Sequence, residues 1–516
     1  MMGLANIELG SSGLNQVFTY PWVAPVVLLV VSGLAYLLMG SKNRRLNLPP
    51  MPKGGLLLLG TMLRTRGPEA HRIILDICKE LSSSIIALKT GLKYFIVVTS
   101  PEMAYEALIK NSQVYSSRPK FLSRLNFTGF RSVNSALYGP YWREIRKNMV
   151  TQVLSTSKVA SFLPFREMEM NNLIQRLRDQ AKKNDNVVPV RSNCRYTIFA
   201  ILLHVCFSKS FEPAVIEQLD VIMRRIMNLF APQVIDVLPF IQIVNKKHKN
   251  ECQQLLQDTR KLFAPLIEEH RMLRQGGKPV GDYVDSLLVL QQKMDLKETD
   301  VLGLIGEVLA GGTDTTASTI EWIMASLVQY PEIQAKVYAE LKSVVPDGKV
   351  VSEEDVEKMP YMHAVVKESL RQHPPLPFGI THGVTEQTTL RGYDIPEDAM
   401  LLFHIQAWQN DPEIWDQPGK FRPERFLSPT PDPNLDMTGS HGPGSMKFIP
   451  FGAGRRICPG INLALKHVHL IIARMVQSFE WSSPNPGEDV DFAEKFEFNV
   501  MMVNPLHARI KERSLE

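Results

Sequence analysis

Phe451-Gly452-Ala453-Gly454-Arg455-Arg456-Ile457-Cys458-Pro459-Gly460 is the stretch on which the reading of this chain turns. It sets one cysteine in a glycine-rich loop, with two arginines just before it and an apolar, helix-forming run just after. Glycines let a backbone bend sharply and approach a flat ligand closely. Backbone N–H groups aimed at the sulfur, with a helix N-terminus behind it, favour a thiolate over a thiol. The remaining cysteines, at 78, 194, 206 and 252, lack such neighbours and read as small buried hydrophobes. Their spacing includes no CxxC pair and the total of 5 is odd, which weighs against a disulfide framework or a zinc cluster. No GxxxxGK[ST] occurs, so a phosphate-binding loop is a remote alternative.

Moving outward, a helix is expected from about Gly460 to Phe479. Thr299 to Tyr330 reads as one long helix, about 48 Å if unbroken, capped by Thr299 or Asp300 and ended by Pro331. It is apolar around much of its circumference, the mark of a buried central helix. In its middle, Gly311-Gly312-Thr313-Asp314-Thr315-Thr316 lowers helix propensity and predicts a local opening of the hydrogen-bond ladder. A threonine bonded back to the preceding turn, with no chemistry, is the plainer alternative. Glu368-Ser369-Leu370-Arg371 places acid and base on one face of a second helix, which stops at Pro374-Pro375. Trp142 and Arg146 share a helix face in the same way. Ser84–Thr99 alternates around a Thr-Gly turn and reads as a hairpin, and short strands are expected between His382 and Phe403. Ser116–Tyr138 is irregular. The fold class is mainly α with small β-sheets in a single domain, and the body beyond the hinge shows neither an internal repeat nor a second composition regime.

The amino terminus has its own regime. Gly10 to Ser41 carries no charge, and Trp22 to Met39 would span roughly 27 Å as a helix, close to the hydrocarbon thickness of a bilayer. Lys42, Arg44 and Arg45 follow at once, whereas Glu8 is the only charged side chain before it, so the bulk of the chain is placed in the cytosol. A cleaved signal peptide fits less well, for want of a basic n-region and a small-residue cleavage site. The expected organisation is a short segment 1–21, a transmembrane helix 22–40, a basic and Pro-rich hinge 41–60, and a catalytic domain 61–516. The sequon Asn126-Phe127-Thr128 should be unglycosylated in that topology. A net charge of +5 over 516 residues argues against a dedicated nucleic-acid binder and permits a basic patch for an acidic protein partner.

The loop matches FxxGxRxCxG at Phe451, Gly454, Arg456, Cys458 and Gly460, and with the other motifs the chain resembles a cytochrome P450, of the plant-type microsomal kind. The resemblance runs from the hinge to about residue 505 and implies a single-domain P450 fold with an N-terminal transmembrane helix. It implies haem b (iron protoporphyrin IX), with Cys458 as the metal ligand and thiolate ligation favouring O–O cleavage. Asp314 and Thr315 become the acid–alcohol pair that feeds the protons dioxygen cleavage consumes. Trp142, Arg146, His382, Phe451 and Arg456 become cofactor-binding residues, the cations holding haem propionates by charge-assisted hydrogen bonds. Thr381 stands where the family usually has proline before His382, a departure at that position. Glu368, Arg371 and Arg425 (in Phe421-Arg-Pro-Glu-Arg425-Phe) become a buried structural network.

The resemblance further implies a monooxygenase that receives NADPH electrons from a separate NADPH–cytochrome P450 reductase at the endoplasmic reticulum membrane, since no flavin or iron–sulfur domain is present. Arg146, Lys147, Lys447 and Arg455 lie in segments expected to flank the cysteine side and to dock an acidic reductase. Ser116–Tyr138, Leu376–Ile380, the helix face at Val308 and Gly311, and Val500–Val503 are the expected pocket segments. Leu122, Leu125, Phe127, Phe130, Phe378, Met501 and Met502 make them apolar, although core packing accounts for the same residues. Two related plant groups are nearest, one of them fatty-acid in-chain hydroxylases and epoxidases. Hydroxylation of a phenolic or terpenoid, a P450-type isomerase or dehydratase needing no dioxygen, and a non-catalytic haem binder are the alternatives.

Overall fold

The structure, a computed structural model, describes residues 46–52 and 67–514, except 92, 126–128, 130, 231–233, 238–245, 429–431 and 486. The Trp22–Met39 run, the sequon and Phe130 lie outside the described residues. Among those described, no helix is long and apolar enough to cross a membrane.

The longer helices are α1 (Ala70–Glu80), α2 (Pro140–Met149), α3 (Leu163–Lys183), α4 (Val190–Phe207), α5 (Pro213–Phe230), α6 (Lys246–Gln275), α7 (Tyr283–Met294), α8 (Glu298–Gln329), α9 (Pro331–Val344), α10 (Pro360–Gln372) and α11 (Ile461–Ser478). The strands are β1 (Ile85–Thr90), β2 (Lys93–Val98), β3 (Val187–Pro189), β4 (His382–Gly383), β5 (Thr388–Leu390), β6 (Tyr393–Ile395), β7 (Met400–Phe403), β8 (Phe479–Ser482), β9 (Glu494–Phe496), β10 (Val500–Met502) and β11 (His507–Glu512). They form a 4-stranded sheet in the order β1-β2-β7-β4, a 3-stranded sheet β3-β11-β8, and the pairs β9-β10 and β5-β6. The expected hairpin is β1-β2, antiparallel with Ile85 opposite Val98. A parallel pairing of β2 with β7 then brings residue 400 beside residue 95.

Helix α8 is the axis of the molecule, and α4 packs along it more extensively than any other element. The apolar residues of α8 that predicted burial, among them Leu304, Ile305, Leu309, Ile320 and Trp322, lie in the main core with Ile198, Ile201 and Leu202 of α4. Its start differs from expectation. Lys297 precedes the first turn, and Asp300 acts from inside it by accepting the Lys297 N–H at 2.9 Å. Its middle differs too, because the α-helical ladder runs unbroken through Gly311 and Gly312. Thr313, Thr315 and Thr319 donate their hydroxyls to the carbonyls of Leu309, Gly311 and Thr315, at 2.6, 2.8 and 2.8 Å. Gly312 serves packing instead: a Cβ there would come within 2.8 Å of Leu202 Cδ1.

The described part of the hinge is docked rather than a free spacer. The Asn47 N–H donates to Asp394 Oδ2 at 2.7 Å, Asp394 N–H donates to the Asn47 carbonyl, and Ala87 N–H of β1 donates to the Pro50 carbonyl. Prolines at 49, 50 and 52 keep this stretch extended, and the open edge of β1 gives it a partner.

Candidate active site

The loop before α11 is held by its own backbone. Cys458 N–H donates to the Phe451 carbonyl at 3.0 Å and Ile457 N–H to the Gly454 carbonyl at 3.1 Å. Gly460 N–H reaches Cys458 Sγ at 3.4 Å. Cys458 is half-buried, while Cys78, Cys194, Cys206 and Cys252 are buried. Burial pushes the Cys458 thiol up, and the Gly460 N–H and the Arg146 charge pull it down. A cation at the sulfur is therefore what the loop needs to hold a thiolate. Gly454 has φ +70°, and a Cβ there would lie 2.3 Å from the Leu108 carbonyl oxygen. Gly454→Ala is expected to destabilise the protein by about 1–3 kcal/mol through that clash, read as a lower denaturant midpoint.

Beside the loop, basic groups gather with few anions to balance them. Arg456 is buried and donates to the carbonyls of Ser116 (2.7 Å), Val133 (3.0 Å) and Ala136 (2.6 Å). It also lies 4.3 Å from the centre of the Trp142 ring, whose Nε1–H donates to the same Val133 carbonyl. Arg146 donates to the Ile457 carbonyl at 2.6 Å, next to the cysteine. Arg118, buried and not foreseen from sequence, donates to the carbonyls of Asn134, Ile380 and Thr381. Burial first, and then repulsion from Arg456, Arg124 and Arg146, push the Arg118 guanidinium well down. His382 is buried with its Nδ1–H on the Tyr115 carbonyl at 2.7 Å; burial and the Arg118 charge keep it neutral. Such a cluster fits carboxylates arriving with a ligand, and a neighbouring carboxylate would restore the charge on His382.

In the middle of α8 Gly311 is exposed and its absent Cβ would meet nothing within 4 Å, so a buried stretch of helix opens onto empty space there. Thr315, one turn on, is half-buried on the same face. Asp314 points elsewhere. Its carboxylate is ion-paired with Arg195 of α4 and lies 3.9 Å from Arg191, and Arg195 also binds Asp220 of α5 at 2.7 Å. Arg224, largely exposed, closes this chain on Asp220 at 3.1 Å. Sequence reasoning paired Asp314 with Thr315 and missed Arg191, Arg195 and Asp220, because nothing local marks an arginine whose partner is over 100 residues away.

The second motif forms a buried network. Arg371 grips Glu368 through two hydrogen bonds of 2.8 and 2.9 Å, both side chains being fully buried. Arg425 Nε–H and Arg422 N–H donate to Glu368 Oε1 at 3.0 and 2.9 Å. The network reaches the cysteine loop through Gln409. Arg371 Nη1 donates to the Gln409 carbonyl, and Gln409 Oε1 accepts the Ile449 N–H at 3.1 Å.

The family model for cytochrome P450 matches residues 49–511. The chain is a cytochrome P450. This P450 is 32% identical to cytochrome P450 89A9 of Arabidopsis thaliana over 448 residues, covering 83% of this chain and 86% of that protein. It is 31% identical to the isoflavone 3'-hydroxylase of Medicago truncatula, covering 92% and 95%. It is also 31% identical to the tryptamine 5-hydroxylase of Oryza sativa subsp. japonica, covering 94% and 95%. Its fold is that of a zebrafish cytochrome P450 solved with progesterone, with TM-score 0.72 and 23% identity over 86% of this chain and 99% of that one. The P450 is thus of plant type, a monooxygenase by family, with haem b as its cofactor.

Hydrogen bonds link some of the segments expected to form the pocket. Val500 N–H donates to the Pro375 carbonyl at 2.8 Å, and Arg118 ties the 116–138 loop to Ile380 and Thr381. Phe378, however, packs with Ile74, Ile77 and Val97 in a separate small core and is not free to line a pocket. Of the cations assigned to partner docking, Lys147 and Arg455 are exposed, whereas Arg146 is engaged with Ile457 and Lys447 with Asp432 at 3.3 Å.

Proposed function

We propose that this P450 is a membrane-anchored enzyme that inserts one oxygen atom from dioxygen into an apolar organic substrate, with NADPH electrons delivered by a separate P450 reductase. The observation that carries this reading is a half-buried cysteine whose sulfur takes the Gly460 N–H, beside a buried cluster of arginines that lacks enough anions. Cys458 would ligate the iron. Trp142, Arg146, His382 and Arg456 would hold the propionates, joined by Arg118, and Phe451 would flank the ring. When bound, haem supplies the metal at which dioxygen is reduced and cleaved.

Asp314, Arg195 and Asp220 form an ion-pair chain that meets solvent at the exposed Arg224. A guanidinium does not release its proton, so Asp314 itself would take a proton from water and carry it to the open face of α8 once its carboxylate swings off Arg195. Thr315 would hold the proton-carrying water at the open face. To donate, its hydroxyl must leave the Gly311 carbonyl, and the flanking glycine leaves room for that rotation. Thr315→Ala is expected to keep haem and NADPH oxidation while product formation falls by about a hundredfold, the electrons appearing as hydrogen peroxide. Unchanged coupling would remove Thr315 from the relay.

The uncharged Trp22–Met39 run followed by Lys42, Arg44 and Arg45 supports an anchor in the endoplasmic reticulum membrane with the catalytic body cytosolic. Exposed Lys147, Arg455 and Arg143 support docking of an acidic reductase with a salt-sensitive rate. For the substrate, in-chain hydroxylation or epoxidation of a fatty acid is one reading; it rests on the sequence resemblance, since Val500, Met501 and Met502 are themselves buried. Hydroxylation of an aromatic ring is a second reading, favoured by the isoflavone and tryptamine hydroxylases among the relatives. The ion-paired Asp314 favours both over an isomerase or dehydratase that needs no dioxygen. The test is a microsomal screen with a plant-type reductase, offering fatty acids, phenolics and terpenoids with products read by mass spectrometry. Turnover without NADPH or dioxygen would contradict the proposal.

A further inference from the structure

Glu307 had no place in the motifs, yet it reaches the site from α8. It sits on α8 four residues before Gly311 and eight before Thr315, so it shares their helix face. Its carboxylate accepts the Val133 N–H at 2.7 Å through Oε2 and the Asn134 N–H through Oε1. The carbonyls of these same two residues accept the basic groups of the site: Val133 from Trp142 and Arg456, Asn134 from Arg118. The Asn134 N–H and the Val133 carbonyl belong to one peptide unit, so a carboxylate on that N–H fixes the unit and strengthens the bonds the Val133 carbonyl accepts. The Asn134 carbonyl is held in place only through the backbone. Seven residues earlier on the same face, Asp300 takes Arg131 Nε at 2.7 Å, so the loop is pinned to α8 at two levels.

We propose that Glu307 is the positioning residue of the propionate cradle: it fastens residues 133–134 to α8, and through their carbonyls it sets Arg118, Trp142 and Arg456 for the cofactor's carboxylates. This rests on the reading of the arginine cluster as a haem site. The same contact couples that cradle mechanically to the helix carrying Gly311 and Thr315. Burial pushes the Glu307 carboxyl up to about 7, against the Asn134 and Val133 N–H donors and the Arg456 charge that pull it down. When ionised it faces Arg124, Arg146 and Arg456, and its loss leaves that cluster less balanced.

The test uses full-length protein in bilayer nanodiscs, with hydrogen exchange over residues 131–137 and the rate of haem transfer to apomyoglobin. A bond to a charged acceptor is worth roughly ten- to hundredfold in equilibrium, and Glu307→Ala is expected to lose protection at Val133 and Asn134 by that factor. Haem transfer should accelerate at least about tenfold on the same ground. Glu307→Gln keeps the shape and one accepting oxygen, so it should recover part of both effects. Three results would overturn the proposal: exchange and haem transfer unchanged in Glu307→Ala, Glu307→Gln no better than Glu307→Ala, or exchange raised evenly along the chain. A wild-type protein that binds no haem through a thiolate would instead overturn the site reading itself, and the two failures are distinct.

Discussion

Arg371→Ala is expected to leave a chain that has lost about 3–5 kcal/mol of stability and retains almost no haem. The two parts of that result have different causes. The stability loss arises because Glu368 is fully buried and was gripped by two of Arg371's donors; Arg425 and the Arg422 N–H remain, but one charge of the pair is gone. The carbonyls of Gln409 and Pro418, each taking an Arg371 donor at 2.7 Å, are left without it. The haem loss follows from Gln409, whose side chain holds the Ile449 N–H two residues before Phe451. Arg371→Lys keeps the charge but not the planar fork, so it should recover little of either. Far-UV circular dichroism against denaturant and haem per chain read the two effects separately. An Arg371→Ala protein with full haem content would show that the network does not support the loop.

Cys458→Ser is expected to reduce NADPH-dependent product formation to background while the polypeptide stays folded. Folding survives because the loop is closed by backbone bonds, Cys458 N–H to Phe451, Ile457 N–H to Gly454 and Arg146 to the Ile457 carbonyl, none of which uses the sulfur. A serine hydroxyl ionises far less readily than a thiol and is a poorer ligand for the iron. Wild-type and variant should therefore share their melting behaviour as apoproteins and differ in turnover. Appreciable turnover in the serine variant would mean another residue ligates the metal.

Features confined to a few neighbouring residues were legible before the fold was known. Gly454, Arg456 and Cys458 are close in sequence and their roles depend on that closeness. The buried α8 was written in its apolar circumference, and the β1-β2 hairpin in its β-rich composition around the Thr90-Gly91 turn. The missing features depend on distance. Gln409, Arg118, Arg195 and Glu307 each act on a partner remote in sequence and carry no local signature. Strands β3 and β9 are 3 residues long, too short for periodicity to mark them, and they exist because remote strands pair with them. The glycine pair at 311–312 misled for a related reason: low helix propensity suggested a broken ladder, but one glycine makes room for Leu202 and the other leaves open space, and α8 stays whole.

The central claim is that Cys458, as a thiolate, holds the iron of the haem. The reduced, carbon monoxide-treated difference spectrum of the full-length protein, recorded beside Cys458→Ser, tests it most directly. The wild type should give the strongly red-shifted Soret band of a thiolate-ligated haem, and the serine variant should not. The same red-shifted band in Cys458→Ser, or its absence from a haem-loaded wild type, would contradict the assignment.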